Sequence, residues 1–369
     1  MNKKILLLVP RLNIGGAETY VTELAISLKK DGYEVFVASG GGVLVKKIKS
    51  YGIKHFFVPF RLSVEIAKFL VLFIVKKYKI DLIHANSAAT GITAVKVKEL
   101  WNVPVIYTAH GVFGHNKKEM TLNSCDEIIC VSNFVRNDAI SKGFDSNKLR
   151  VIYNGIDTEK FIKSNIKRMQ LRKQYNIPPE AFVMTITSRI KNINDKGHNA
   201  LLEIFKKYEL PNTYLIIIGK GKGLAKLKKN VKEYKLESNI LFLGHILEVQ
   251  EILDITDITV LPSKFETFGL VIAEGMSMNK PAIAYNVGGI GEIIDDRLNG
   301  FLVENNDLES FYQKIVFYYK NKELLQTMGV VARNKVENCF SLEKMLLEIK
   351  EVYRSLIQGE KIDKDEKNI

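Results

Sequence analysis

Ile258-Thr-Val-Leu-Pro-Ser-Lys-Phe-Glu-Thr-Phe-Gly-Leu-Val-Ile-Ala-Glu-Gly-Met-Ser-Met278, followed by Asn279-Lys-Pro-Ala-Ile-Ala284, reads in order as strand, loop, helix and strand. Residues 258–261 form a short apolar run rich in β-branched side chains, the mark of a buried strand. Residues 262–265 punctuate it, and the pattern from Gly269 to Met278 is helical. Asn279 tolerates the left-handed conformation just past a helix end, and Pro281 cannot continue a helix. A helix between two such strands is the repeating unit of a parallel α/β sheet. Glu266 then lies in the loop, and Glu274 stands about two helical turns further on. The junction at Gly269 presents unsatisfied N–H groups and the positive end of a helix dipole, which suit a phosphate. Taken alone, two acids in such a segment are more often an ordinary solvated face. The rest of the chain shifts that balance.

The same rhythm extends in both directions. Residues 4–9, 34–38, 55–58, 82–85, 105–108, 127–131 and 149–153 read as strands, with helical patterns such as 18–30 and 133–142 between most of them. A turn at Asn154-Gly155-Ile156-Asp157 interrupts the series, and a basic helical stretch, 161–175, follows. Strands then resume at 182–187, 214–219, 240–243, 258–261, 281–284 and 301–303. The expected architecture is α/β, with two Rossmann-like, doubly wound parallel-sheet domains facing across a cleft. The expected boundaries are 1–160 for the first domain and 161–340 for the second. An amphipathic helix over 341–358 follows, N-capped by Ser341, and then a charged tail, 359–369, expected to be disordered. In such folds ligands bind outside the carboxyl ends of the strands.

With 369 residues and 46% hydrophobic content, the chain can build two cores. Its charge is uneven. Residues 1–250 hold 40 Lys and Arg against 21 Asp and Glu, whereas residues 251–369 hold 14 against 20. The basic first two-thirds favours phosphorylated ligands, an anionic lipid surface or nucleic acid. Three cysteines, Cys125, Cys130 and Cys339, without zinc spacing, argue for a reducing compartment and no metal site. The N-terminal apolar run ends at Pro10 and is too short for an export signal, so it reads as a first strand. Residues 69–75 are apolar and flanked by Lys68 and Lys76-Lys77. They are too short to span a bilayer and read as a core helix, with a membrane-resting face as the lesser alternative.

Several short motifs sit where strands end. Gly15-Gly16-Ala17-Glu18 opens the first helix, where glycine lets backbone approach an anion. It is neither Gly-x-Gly-x-x-Gly nor a Walker loop, which weakens dehydrogenase and ATPase readings. His110, after the strand 105–108, points toward the ligand side and can bond a sugar hydroxyl; His84 reads as a structural histidine. Arg189 and Lys196 follow the first strand of the second half and can neutralise a diphosphate, with Lys191 a competitor for the lysine role. Gly219-Lys-Gly221-Lys-Gly223 could abut a phosphate or a base, and Gly288-Gly289 opens a further helix.

Taken together, the order of these motifs resembles the family 4 retaining glycosyltransferases of GT-B fold, also called glycosyl transferases group 1. The likeness runs from about residue 4 to 356 and is sharpest over Ser263–Glu274 and Pro281. The resemblance implies that Glu274 binds ribose hydroxyls of a nucleotide sugar and that Glu266 lies near the donor sugar. It implies that Phe268, Gly269 and Leu270 offer backbone groups to sugar and diphosphate, that Arg189 and Lys196 neutralise the diphosphate, and that His110 contacts the transferred sugar. Gly16, with Gly15 beside it, would give close backbone approach at the interdomain cleft; Gly219 and Gly221 stay substrate-binding candidates on their own pattern. The last helix would return to the first domain. Ser188 replaces the family's usual Gly before the arginine, the Arg189-to-Lys196 spacing is longer than usual, and Asn279 stands where Gly is common.

The implied reaction moves a sugar from a nucleotide-diphosphate donor, a UDP-sugar foremost, to a saccharide or polyprenyl-linked saccharide in surface polysaccharide assembly. It keeps the anomeric configuration and requires no metal and no cofactor. A nucleotide-sugar epimerase or a glycogen-type synthase on the same fold is the alternative. A basic nucleic-acid-binding protein is disfavoured, because no aromatic-interleaved basic patch or nucleic-acid module is present. The expected location is cytoplasmic, with the basic first domain resting on an anionic inner membrane face.

Overall fold

A computed structural model of the protein describes residues 3–114, 117–162, 165–246 and 248–359. Nearly all of the charged tail, from residue 360 on, lies outside them. Among the described residues the strands form two separate parallel sheets. The first holds β1 (Lys4–Leu8), β2 (Glu34–Ser39), β3 (Lys54–Phe57), β4 (Leu82–Ala85), β5 (Val105–Ala109), β6 (Glu127–Cys130) and β7 (Leu149–Val151), in the order β3-β2-β1-β4-β5-β6-β7. The second holds β8 (Phe182–Thr187), β9 (Thr213–Ile218), β10 (Ile240–Gly244), β11 (Ile258–Leu261), β12 (Ala282–Tyr285) and β13 (Gly300–Val303), in the order β10-β9-β8-β11-β12-β13. Each order is the doubly wound one, in which the chain builds outward from a central strand and then returns to its other side.

Apolar runs rather than alternation mark these strands because both faces of each sheet are covered. In the second sheet Met184, Ile186, Ile217, Val260 and Ile283 enter one core. Their chain neighbours Val183, Ile216 and Ile218 enter another on the opposite face.

The chain leaves its first compact unit at Gly155 and enters the second at Ile156, returning at Glu343. Local bonds explain both crossing points. The Ile156 N–H donates to the Phe340 carbonyl at 2.8 Å, and the Leu342 N–H donates to the Ile156 carbonyl at 2.8 Å. These residues therefore stay with the second unit. The last helix, Leu342–Gln358, belongs with the first unit through its buried face. Tyr353 on that face bonds His84 Nδ1 on β4 at 2.7 Å, while Thr108 on β5 bonds His84 Nε2 at 2.6 Å. His84 is thus a fully partnered core histidine. The helix read over 161–175 is observed at Asn165–Gln174.

Candidate functional site

In the second unit the order reverses between β8 and β11, which are hydrogen-bonded neighbours (Ile258 opposite Met184). The loop after β8 and the loop after β11 then lead to opposite sides of the sheet and leave a crevice at their shared end. Lys196 comes from the first loop and Glu266 from the second. Lys196 Nζ lies 2.7 Å from Glu266 Oε1 and also approaches the Phe265 carbonyl at 3.4 Å. Ser263 Oγ donates to the same carboxylate oxygen at 2.9 Å. Backbone holds the loops together as well, the Lys264 N–H donating to the Asp195 carbonyl at 3.0 Å. Gly197 makes this approach possible. It takes a left-handed φ of 75°, and a Cβ there would sit 2.0 Å from the Pro262 carbonyl oxygen.

The same logic governs neighbouring turns. The Gly289 N–H donates to the Glu266 carbonyl at 3.1 Å. The side of Gly219 and Gly221 on which a Cβ would stand is filled by the carbonyls of Ser188 and Ile190. This packing by itself accounts for glycine at both positions. Arg189 stands exposed in the β8 loop, as does Lys191, but it is Lys196 that reaches Glu266.

From Gly269 the β11 loop turns into the helix Leu270–Ser277, and among the described residues no side-chain cap bond is made at its Gly269 start. Those N–H groups and the aligned dipole face the crevice end of the sheet, a setting that favours an anion. Phe268 is buried just before them, edge-on to Phe340 at 5.4 Å, and anchors the turn. The helix stops as the sequence suggests. Asn279 adopts φ 54°, the Lys280 N–H donates to the Gly275 carbonyl, and Arg333 donates to the Ser277 carbonyl.

Glu274 lies in the middle of this helix, half-buried. Among the described residues no hydrogen bond reaches its carboxylate. Desolvation pushes its pKa up to about 7, against which the Lys160 ammonium works only in part. Lys160 is shared, lying 3.4 Å from Glu248. A carboxylate without donors in a partly dry site is costly unless something else supplies them, and paired hydroxyls of a sugar would do so.

In the first unit the reversal falls between β1 and β4. The loop after β1 carries Gly15 and Gly16, at the start of the helix Gly16–Lys30, with no side-chain cap. His110, just past β5, rests edge-on against Tyr20 of that helix at 4.7 Å and meets Asn86 Oδ1, past β4, at 3.3 Å. Burial lowers its pKa to about 4, so the ring is neutral at pH 7.

Two features had no reading in the sequence. His198, buried at the start of the helix His198–Lys207, bonds Ser188 Oγ at 3.1 Å, and burial next to Lys196 lowers its pKa to about 4. Arg168 and Arg172 grip Asp257 and the carbonyls near Asp254–Thr256, tying the helix Asn165–Gln174 to the segment before β11. Among the described residues no cluster of acidic, His and Cys side chains could hold a metal ion.

The family model for Glycosyltransferase Family 4 matches residues 14–160, and that for Glycosyl transferases group 1 matches residues 167–335. An uncharacterized glycosyltransferase of Methanocaldococcus jannaschii is 30% identical over 295 residues, covering 77% of this chain and 78% of its own. The UDP-Gal:alpha-D-GlcNAc-diphosphoundecaprenol alpha-1,3-galactosyltransferase of Escherichia coli is 29% identical over 328 residues, covering 83% and 84%. Among solved structures, a glycosyltransferase from Rickettsia africae superposes with a TM-score of 0.89 at 26% identity, covering 97% of this chain and all of that one. Fold and matches together define a glycosyltransferase of the GT-B class. The chain belongs to family 4 of these enzymes.

Proposed function

We propose that the protein transfers a hexosyl group from a UDP-sugar to a saccharide or polyprenyl-linked saccharide, with retention of anomeric configuration. The single observation that carries this reading is the contact of Lys196 with Glu266 above the β8–β11 reversal, beside the uncapped helix start at Gly269. A diphosphate needs cations and N–H donors at one point, and a sugar needs a fixed acceptor next to them.

In this scheme Lys196 and Arg189 neutralise the diphosphate, joined by the amides from Phe268 to Leu270. Glu266, held by Ser263 and Lys196, orients the donor sugar. Glu274 accepts from the ribose hydroxyls. In the first unit, neutral His110 bonds a hydroxyl of the transferred sugar. The bond from the anomeric carbon to the diphosphate oxygen breaks, and its electron pair stays on the phosphate. The acceptor oxygen bonds the anomeric carbon on the same face, and its proton passes to the departing phosphate oxygen. Cations already aimed at the leaving group need no rearrangement as charge develops there.

The lipid-linked acceptor named for the Escherichia coli relative supports an acceptor of that class for this chain. A thermal-shift series with UDP-, GDP- and ADP-sugars tests the donor, since a ligand that binds only the native state raises apparent stability. Transfer to a polyprenyl-diphosphate saccharide, with the product anomer assigned by NMR, tests the reaction. An inverted product, or stabilisation by GDP- or ADP-sugars instead of UDP-sugars, would refute the corresponding part.

A further inference from the structure

We propose that the outward face of the helix Val64–Tyr78 docks on an anionic phospholipid bilayer. A surface helix of a soluble domain normally turns polar residues outward. This one does not. Its inward face, Ala67, Val71, Ile74 and Val75, is buried. Its outward face carries Ile66, Phe69, Leu70 and Phe73, a spacing of three, four and seven residues that places them on one stripe. Phe69 is 62% exposed, Phe73 59% and Ile66 53%. Leu62, in the turn leading into the helix, adds to the apolar end at 83%.

The charge around this stripe identifies the occupant. From Tyr51 to Ile80 the chain carries six basic residues and a single acid, Glu65, which is already bonded to Lys68 and Lys96. The lysines lie along the rings. Lys68 Nζ sits 4.8 Å from the Phe69 ring, Lys77 5.3 Å from Phe73, and Lys76 4.8 Å from Trp101, itself about half exposed. Exposed rings with ammonium groups over them along the border of the stripe match a headgroup boundary. The rings enter the acyl region while the cations remain among the phosphates. An acidic or neutral protein partner would satisfy either the stripe or its basic border, whereas an anionic bilayer satisfies both. Among the described residues no helix is long and apolar enough to cross a membrane, so the contact is a resting one.

This inference deepens the lipid-linked acceptor reading above, and its test does not use transfer. The full chain is floated with phosphatidylcholine vesicles, with and without phosphatidylglycerol, as wild type, Phe69→Ser/Phe73→Ser and Lys76→Gln/Lys77→Gln. Wild type should float with the anionic vesicles only, and less so as salt is raised. The lysine pair should lose about fivefold in affinity per charge, and the phenylalanine pair roughly tenfold or more. If the phenylalanine pair fails to fold, the lysine pair carries the test. Equal binding to both vesicle types, no binding, or unchanged binding of the lysine pair overturns the proposal. So does a wild-type dimer, seen by light scattering, that the phenylalanine pair converts to monomer without any vesicle binding. The UDP-induced thermal shift of the same samples reads the donor site separately. Its absence would count against the UDP reading and leave the vesicle result standing.

Discussion

The Lys196 ammonium contacts Glu266 at 2.7 Å, although the two residues are separated by 70 positions and come from loops on opposite sides of the β8–β11 reversal. A cation already placed in a partly shielded site can meet a diphosphate without first being ordered. Lys196→Met should therefore slow single-turnover transfer by about 10²- to 10³-fold, the range found when one preorganised donor to a developing oxyanion is lost. Donor affinity should fall much less, because the charge on the leaving group grows toward the transition state. Equal losses in binding and rate would show that Lys196 only holds the ground state.

Glu274 links pH to both binding and stability. Its folded pKa of about 7 exceeds the ordinary value of 4.5, so the native state holds this proton over a range where the unfolded chain has released it. Its contribution is fully present below about pH 4.5 and is lost as pH rises through 7. Glu274→Gln should therefore be more stable than wild type at pH 8, by about 1–3 kcal/mol, because a neutral amide escapes the desolvation cost of the carboxylate. The same variant should lose most donor affinity, and wild-type affinity should weaken as pH falls from 8 to 6. Thermal melts with and without UDP across that range measure both effects. A variant less stable than wild type at pH 8 would mean that the carboxylate has a structural partner.

The strands and the helix Leu270–Ser277 were legible because a doubly wound sheet buries both faces, so each strand appears as an apolar run bounded by turns. Asn279 was legible for a local reason, since few residues accept a left-handed helix end. Contacts made only by the fold were not. Nothing near Arg172 in sequence announces Asp257, and nothing near Lys196 announces Glu266. His198 looked like any polar residue at a helix start, yet it is buried against Ser188. Glycines were ambiguous for a related reason. A residue without Cβ serves a ligand or a neighbouring carbonyl equally well, and at Gly219 and Gly221 the neighbour is backbone.

Gly197 faces such a neighbour in the loop that carries Ser263 and Glu266. Alanine there would adopt an unfavourable φ of 75° and would press its Cβ to within 2.0 Å of the Pro262 carbonyl oxygen. Left-handed strain alone costs on the order of 1 kcal/mol, and displacement of the Pro262 loop adds to it. Gly197→Ala should therefore lower stability by roughly 2–4 kcal/mol. It should also disturb transfer, since that loop carries Ser263 and Glu266. Gly52→Ala is the control. Its φ is 72°, but nothing lies within 4 Å of the added carbon, so only the strain remains. Urea denaturation of both variants separates the two costs, and equal losses would dismiss the steric part.

Three buried histidines set the response to acid. Burial lowers the pKa of His84 to about 3 and of His110 and His198 to about 4, from an ordinary 6.5. The unfolded chain therefore takes up protons near pH 6.5 that the native state refuses. The stability each histidine provides is present above 6.5 and is lost as pH falls toward the folded values. Each contributes a slope of up to about 1.4 kcal/mol per pH unit in that window. Glu274 opposes them between pH 7 and 4.5, because there the native state binds the extra proton. His55, also lowered by partial burial, adds to the same side, and the histidines together outweigh Glu274, which leaves a net loss of stability between about pH 6 and 4.5. His84 can be isolated within this sum, because its two ring nitrogens are bonded to Tyr353 and Thr108. Tyr353→Phe leaves Nδ1 buried without its partner and should cost about 1–3 kcal/mol at every pH. His84→Gln removes the titrating group and should flatten the acid limb by about one histidine's share. Melting temperature against pH for the three proteins distinguishes a uniform offset from a change of slope, and an unchanged slope in His84→Gln would exclude this histidine from the acid response.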